Sequence, residues 1–269
     1  MTSLSESGLL LLKYGKIKLF VRKSEPFVFY ATFIAGEYDK LSVEKGSVVL
    51  DFGANVGDYT IKAASLVGKS GKVIAVEPDP KNMEILKLNL KINGIENVIA
   101  VNAAISDEEG EAYLAGKGTR AYISDKRISS EDLPIKLITI GEVIDKYVKG
   151  EDVIIKMDIE GAEGLVFKKS NFLTRVNQIS MELHGLENIN VVNNVLNSSG
   201  FKVQRYGVTD ELNSTLKNIL KHPVDFLMNE RKSGYIAIKG MNSIIKHKRN
   251  PVPSLSENEF ELITAKRIY

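Results

Sequence analysis

Three short apolar runs, each closed by a turn and separated by helix-length segments, constrain this chain more than any other feature. Val48–Phe52 (VVLDF) is apolar without alternation and lies between Gly46 and Gly53, the pattern of a strand buried on both faces. Val56–Val67 follows with helical periodicity and stops at Gly68. Lys72–Val76 (KVIAV) repeats the buried-strand pattern. Pro80–Ile92 is an amphipathic helix with proline in its first turn, where a missing N–H costs nothing, and Asn93-Gly94 ends it. Val98–Asn102 is a third strand. Strand, helix, strand, helix, strand is the signature of a parallel sheet with right-handed crossovers, which collects ligands at the carboxyl ends of its strands.

Beyond residue 105 the pattern loosens. Residues 106–140 carry Asp, Glu and Gly turns with short alternating pieces, Glu111–Leu114 and Lys136–Ile140, which suggest a hairpin-like elaboration at one end of the sheet. A helix at Ile140–Val148 leads into a fourth strand, Asp152–Met157. A helix around Ala162–Lys169 and a fifth strand, Gln178–Leu183, come next. Residues 187–198 are helical, Phe201–Tyr206 is a strand and Gly234–Lys239 is a last strand. The class is α/β, an open, mostly parallel seven-stranded sheet with helices on both faces. No repeat or linker divides the chain, so the expected division is an N-terminal segment on the substrate side (1–45), one domain (46–240) and a basic tail (241–269).

Composition narrows the function. Thirty-six Lys+Arg against thirty-four Asp+Glu leave a net charge of +2, without the footprint of a nucleic-acid binder. The cluster Lys246, His247, Lys248, Arg249 is expected to be a solvated segment. Absence of cysteine excludes disulfides, thiolate metal sites and cysteine nucleophiles. No run approaches the roughly 20 apolar residues of a membrane helix, and Leu9–Leu12 is too short for a signal-peptide core, so a cytoplasmic location is expected. Abundant Ile, Lys and Glu hint at a thermophilic source.

The chemistry begins at Asp51-Phe52-Gly53-Ala54-Asn55-Val56-Gly57, between a strand and a helix. Gly53 and Gly57 let the backbone turn and pass close to a ligand. The helix N-terminus offers N–H groups to the carboxylate of an amino-acid moiety, and Asp51 can accept from its ammonium. The two glycines are four residues apart with Asn55 between them, unlike G-x-G-x-x-G, which disfavours a dinucleotide. Glu77 ends the second strand, where a carboxylate can accept both ribose hydroxyls. Pro78-Asp79-Pro80 follows it. Asn102, Ala103 and Ala104 end the third strand and could edge an adenine. A glycine turn serving packing alone is the competing reading.

Taken in order, DFGANVG, VIAVEPDP, VNAAISDEEG, KMDIEGAE and MELHG resemble the FkbM family of S-adenosylmethionine-dependent methyltransferases, over roughly residues 46–185. The resemblance implies a class I methyltransferase fold with an antiparallel last strand, and methyl transfer usually to a hydroxyl oxygen. It places Gly53, Asn55 and Gly57 on the cofactor loop, Glu77 at the ribose and Asn102–Ala104 at the adenine. Asp158, Glu160, Gly161 and Glu163 match its acidic segment, and Glu182 with His184 its E-x-H segment.

Period-two spacing puts Asp158 with Glu160, and Glu182 with His184, on common faces at neighbouring strand ends. Asp158 then serves both the cofactor and the catalytic face. A sulfonium is already a strong electrophile, so the protein must align an acceptor oxygen and take its proton. His184 is the natural base; it could equally be a structural histidine satisfied by Glu182 or backbone. Glu160 and Glu163 could instead cap the next helix. A divalent metal held by Asp158, Glu160, Glu182 or His184 is a disfavoured third reading. No Asn/Asp-Pro-Pro-aromatic segment is present, which argues against a nucleic-acid N-methylase. The expected activity is methylation of a hydroxyl on a small molecule, sugar or glycolipid. An RNA or protein methyltransferase, and a non-catalytic cofactor-binding subunit, are the alternatives. Oligomeric state is open.

Overall fold

The computed structural model describes residues 8–116, 122–234 and 260–268. The chain opens with a hairpin, β1 (Leu9–Tyr14) and β2 (Ile17–Arg22), then a helical turn α1 (Phe27–Tyr30) that widens into a π-helical turn at Ala31–Ala35. The alternating region follows as β3 (Val48–Phe52), α2 (Asp58–Val67), β4 (Lys72–Val76), α3 (Pro80–Asn93) and β5 (Val98–Val101). Four short strands come next: β6 (Ala104–Ile105), β7 (Gly110–Ala115), β8 (Tyr122–Ser124) and β9 (Leu133–Ile138). The remainder is α4 (Ile140–Tyr147), β10 (Val153–Met157), α5 (Glu163–Phe167), a 3₁₀ segment Ser170–Arg175, β11 (Val176–His184), α6 (Leu186–Ser198), β12 (Phe201–Arg205), α7 (Val208–Lys221), α8 (Pro223–Ser233) and β13 (Phe260–Arg267).

The main sheet has seven strands in the order β12-β13-β11-β10-β3-β4-β5. β13 pairs antiparallel with both β11 and β12, while the pairings of β11, β10, β3, β4 and β5 are parallel. The expected seven-stranded sheet with an antiparallel last strand is therefore present. β3 is buried at all five positions because the sheet is covered on both faces. Val48, Leu50 and Phe52 join one core with β10, β11, α4 and α6. Val49 joins the opposite core with Tyr59, Ala63 and Val67 of α2. The elaboration read at 106–140 is a separate four-stranded mixed sheet, β6-β9-β7-β8.

Several boundaries move for identifiable reasons. α2 starts at Asp58 rather than Val56, because Asn55 (φ 48°) and Gly57 (φ 86°) are left-handed and cannot continue a helix. α5 is shorter than the expected 162–169 and passes into the 3₁₀ segment. The strand expected at Gly234–Lys239 fails at its first residue, since Gly234 caps α8 at φ 63°; residues 235–239 lie outside the described residues, as does the Lys246–Arg249 cluster. The largest correction concerns residues 241–269, expected to be a tail beyond a domain ending at 240. They contain β13, an interior strand of the main sheet, so the sheet is not closed by residue 240.

The N-terminal hairpin is fastened by an amide. Asn89, fully buried on α3, accepts from Phe20 N–H at 2.7 Å and donates to the carbonyls of Phe20 at 2.9 Å and Val56 at 2.8 Å. One side chain thus joins β2 to the turn after β3.

Because Ile263 of β13 is fully buried in the main core, Ile263→Ala should cost about 2–5 kcal/mol, the range for a buried Ile truncation. A denaturant titration checks it. A loss below ~0.5 kcal/mol, as for a surface tail, would mean that β13 does not occupy the sheet.

Candidate active site

The turn after β3 is shaped by strand packing. Gly53 has φ 71°, and a Cβ there would sit 1.8 Å from the carbonyl oxygen of Asp158, so only glycine lets the ends of β3 and β10 approach. Gly53 and Ala54 both donate N–H to Val76 O at 3.0 Å, and Asn55 N–H goes to Glu77 Oε2 at 2.7 Å. These three N–H groups are spent on the end of β4 and on Glu77 after it. A Cβ on Gly57 would meet Leu86 Cγ at 2.9 Å, so Gly57 serves the contact between α2 and α3. Ala54 packs into a small core with Ala75, Met83 and Leu86. Of the expected loop residues, Gly53 and Asn55 line the cleft described next.

Asp51 is also placed differently from the expectation. It is fully buried on the face away from the main core, where Thr60 Oγ1 donates to it at 2.5 Å and Lys156 Nζ lies 3.4 Å away. The ammonium it answers to is that of Lys156.

At the carboxyl ends of β3, β4 and β10 opens a cleft of about 720 Å³, continuous with solvent. Glu77, Pro78 and Asn82 form one side, Ala103 and Ala104 another, and Asp158 with Glu160 a third. Leu114, Tyr122 and Ile123 of the small sheet add an apolar wall that the sequence did not reveal. Glu77 is buried and accepts from Asn55 N–H, Asp79 N–H (3.0 Å) and Asn82 Nδ2 (3.0 Å). Burial pushes its carboxyl up to about 7, against the downward pull of those three donors. Asn102 does not line this cleft. Its Nδ2 donates to the carbonyls of Glu77 and Pro78 at 2.7 and 3.0 Å, so it braces the turn that carries Glu77.

The residues fit S-adenosylmethionine. Glu77 stands where it could accept from a ribose, the Ala103–Ile105 edge and Ile123 could flank a flat ring, and Asn55, Asn82 and Asp158 each keep a buried oxygen with no hydrogen-bond partner among the described residues. Orphaned acceptors in one cleft call for a ligand with several donors.

Beside the cleft, β10 and β11 bring the acidic and histidine residues together. His184 Nδ1 lies 3.1 Å from Glu163 Oε1, and its Nε2 lies 3.7 Å from Glu160 and 3.9 Å from Glu182. Glu163 is fully buried, holds Gly161 N–H at 3.2 Å and is the ring's fixed partner, so capping and orienting are joint roles. Glu160 stands in left-handed backbone (φ 53°), which swings its side chain out of the strand direction. Burial alone would lower His184, but the Glu163 hydrogen bond and the charges of Glu163, Glu182 and Asp158 prevail and raise it to about 9. Glu160 is raised to about 7 by burial, then by Asp158. Glu182 is pushed well above the usual carboxylate range by burial and by the charges of Asp158 and Glu37. Tyr38, buried against the Lys156 ammonium at 5.3 Å from its ring centre, borders this group and carries no motif that could have announced it. One ligand atom each from Asp158, Glu160 and His184 lies within 4.8 Å of the others, compatible with a metal ion.

A methyltransferase FkbM domain matches residues 51–203. The chain belongs to the FkbM methyltransferase family. Its sheet is that of the class I S-adenosylmethionine-dependent methyltransferases. Among curated proteins, this FkbM protein is 36% identical over 85 residues to a probable cobalt-precorrin-6B C(15)-methyltransferase (decarboxylating) of Saccharolobus solfataricus, covering 29% of this chain and 43% of that one. It is 39% identical over 61 residues to protein-L-isoaspartate O-methyltransferase 1 of Archaeoglobus fulgidus, covering 23% and 28%. The chain spans less than half the length of these relatives. A solved structure of precorrin-6y C5,15-methyltransferase from Geobacter metallireducens is similar at a TM-score of 0.45 and 15% identity, covering 87% of this chain and 86% of that one.

Glu77 gives the cofactor-free FkbM protein a pH signature. Its carboxyl is raised from 4.5 to about 7 on folding, so the folded chain binds a proton that the unfolded chain has lost. The resulting stability is complete below the unfolded value and is lost as pH rises through the folded one, roughly 3 kcal/mol for one buried group. His184, raised from 6.5 to about 9, loses its contribution over a higher window. Glu77→Gln should therefore flatten the stability–pH curve between 4.5 and 7 and leave the alkaline limb. Parallel denaturation curves for wild type and variant across that window would contradict this account.

Proposed function

We propose that this S-adenosylmethionine-dependent methyltransferase methylates a hydroxyl oxygen of a small molecule, sugar or glycolipid. The observation that carries the proposal is the histidine held among three carboxylates at the mouth of the cofactor cleft. The relatives are named for methylating a corrin precursor, a protein isoaspartate and, in one case, a tRNA guanine, so the family leaves the acceptor to be argued from the site. A hydroxyl oxygen must lose a proton on attack, and this site is built to receive one.

Bound S-adenosylmethionine supplies a methyl group already activated on sulfonium. Glu77 would accept from the ribose, while the unpartnered oxygens of Asn55, Asn82 and Asp158 would accept from further donors. Asp158 and Glu160 line the cleft and stand beside His184, so an acceptor bound against them is next to the base. Glu163 fixes the ring through Nδ1, which leaves Nε2 to take the acceptor proton. At neutral pH the raised imidazole carries its proton; only the neutral ring accepts, so turnover should climb with pH toward about 9.

Two variants test the base. His184→Ala should lower turnover by ~10²–10⁴-fold with S-adenosylmethionine affinity nearly unchanged. Glu163→Gln should move the alkaline midpoint of the rate profile downward, because it removes the anion that raises the ring. A folded His184→Ala enzyme keeping more than about a tenth of wild-type turnover would rule out the base role. An unmoved midpoint in Glu163→Gln would reduce Glu163 to scaffolding.

A second reading rests on the close approach of Asp158, Glu160 and His184. These three would hold a divalent ion, which would lower the pKa of a bound hydroxyl. Chelator treatment separates the readings: turnover independent of chelator supports the histidine alone, whereas loss restored by added Mg²⁺ or Mn²⁺ supports the metal.

A further inference from the structure

α7 and α8 are amphipathic the wrong way round. α7 turns Glu211, Thr215 and Asn218 inward, all buried, and α8 buries Asn229 beside Phe226. Their outer faces carry Leu212, Leu216 and Leu220, then Val224, Leu227 and Met228, each between 42% and 71% exposed. Leucines four residues apart form a continuous stripe along α7, and Val224 and Leu227 prolong it across the joint at His222-Pro223. Single exposed leucines are ordinary, but a stripe of six on two successive helices is not. Two of the buried polar residues are bonded to the body of the protein: Asn218 donates to Ile34 O at 3.1 Å, and Asn229 both accepts from Lys13 N–H and donates to Lys13 O. Helices pinned by polar contacts to their own protein leave their hydrophobic side for something else.

The charges around the stripe select what that is. Lys217, Lys221, Arg231 and Lys232 are exposed on the same outer faces. The acidic residues of the two helices are drawn away: Asp210 pairs with Lys40 at 2.8 Å, Glu211 is buried, Asp225 accepts Gly15 N–H at 2.8 Å, and Glu230 is half-buried with a partner of its own. Among the described residues of the two helices the exposed charges beside the apolar stripe are cations, which complements a surface that is apolar within and anionic at its boundary. A second copy of the chain would set these cations against each other. We propose that the outer faces of α7 and α8 form a docking surface for an anionic lipid bilayer. The mode is peripheral, since no helix among the described residues is long and apolar enough to cross a membrane. Asn218 of α7, and Tyr206 just ahead of that helix, bond to Ile34 O and Ala35 O in the segment that leads to Glu37 and Tyr38, beside the carboxylate–histidine group. On the activity proposed above, a docked enzyme would present its carboxylate–histidine group near the lipid surface.

Co-sedimentation of the full chain with phosphatidylglycerol/phosphatidylcholine vesicles tests this without any acceptor or turnover. Wild type should bind these vesicles, bind pure phosphatidylcholine far more weakly and be released by high salt. Lys217→Glu with Lys221→Glu should reduce partitioning by about tenfold or more, as should Leu216→Ser with Leu220→Ser, both with unchanged melting temperature and S-adenosylmethionine binding. Failure of the wild-type protein to bind, or equal binding by both double variants, would overturn the proposal. A wild-type dimer in solution that the leucine variant converts to monomer would overturn it in favour of self-association. A fall in melting temperature of the leucine variant would overturn it in favour of a face covered by the chain itself.

Discussion

The site depends on one buried ammonium. Lys156 sits at the end of β10, nearly inaccessible to water, and donates to Gly53 O at 2.7 Å while pairing with Asp51 of β3. An ammonium taken out of water is costly unless its charge is answered and its protons are used. Here Asp51 answers the charge, Thr60 holds Asp51, and the face of Tyr38 covers what remains. The neighbouring carbonyl of Gly53 is drawn in the same direction. This ties the end of β10 to the turn after β3 at the point where Gly53 and Asp158 come closest. Relaxing that contact would carry Asp158 and Glu160 away from the cleft they line. A buried pair is weak evidence of stability, but its geometric requirement is strict, and strictness is what a shared cofactor and acceptor site demands.

The same economy of charge governs the outer half of the site. Lys156 is committed to Asp51, so the carboxylates of Asp158, Glu160, Glu163 and Glu182 face His184 with no second buried cation among the residues that shift them. Burial raises Glu160 and Glu182, and each ionised carboxylate nearby raises them further. The only cheap compensation is a proton on the imidazole, which raises His184. Proton affinity is therefore a property of the group, and His184 and its neighbours titrate together.

Legibility followed the reach of each interaction. Strands β3, β4 and β10 could be read because burial on both faces leaves nearly unbroken apolar runs, and Glu77 could be placed because its position is local to the end of β4. Asp51 could not: which face of β3 it points to depends on Lys156, 105 positions later in the chain. Gly57 was legible as a glycine that must turn, but its neighbour Leu86 belongs to another helix. β13 was missed because a strand that pairs antiparallel between two others carries no mark of its place, and its paired residues lie 58 to 88 positions upstream. Asn102 was read as an adenine contact, whereas its amide is consumed by the carbonyls of the Glu77 turn. Tyr38 and the wall formed by Leu114, Tyr122 and Ile123 are tertiary facts throughout.

The inverted periodicity of α7 follows from the same separation of local from long-range signals. Binary patterning assigns the leucine face of a helix to the core, yet here the core side carries Glu211, Thr215 and Asn218, and Asn218 donates to a carbonyl and a carboxylate of the segment Ala31–Asp39. A polar seam between α7 and that segment is directional, since it works only where donor meets acceptor. It can therefore fix the position of the Glu37–Tyr38 stretch against the carboxylate–histidine group more closely than an apolar contact could. The cost is a leucine stripe facing outward, and a chain that retained this stripe for no purpose would carry an aggregation hazard. Polar inside and apolar outside thus make sense together if one side of the helix pair sets the acceptor wall and the other sets where the enzyme stands.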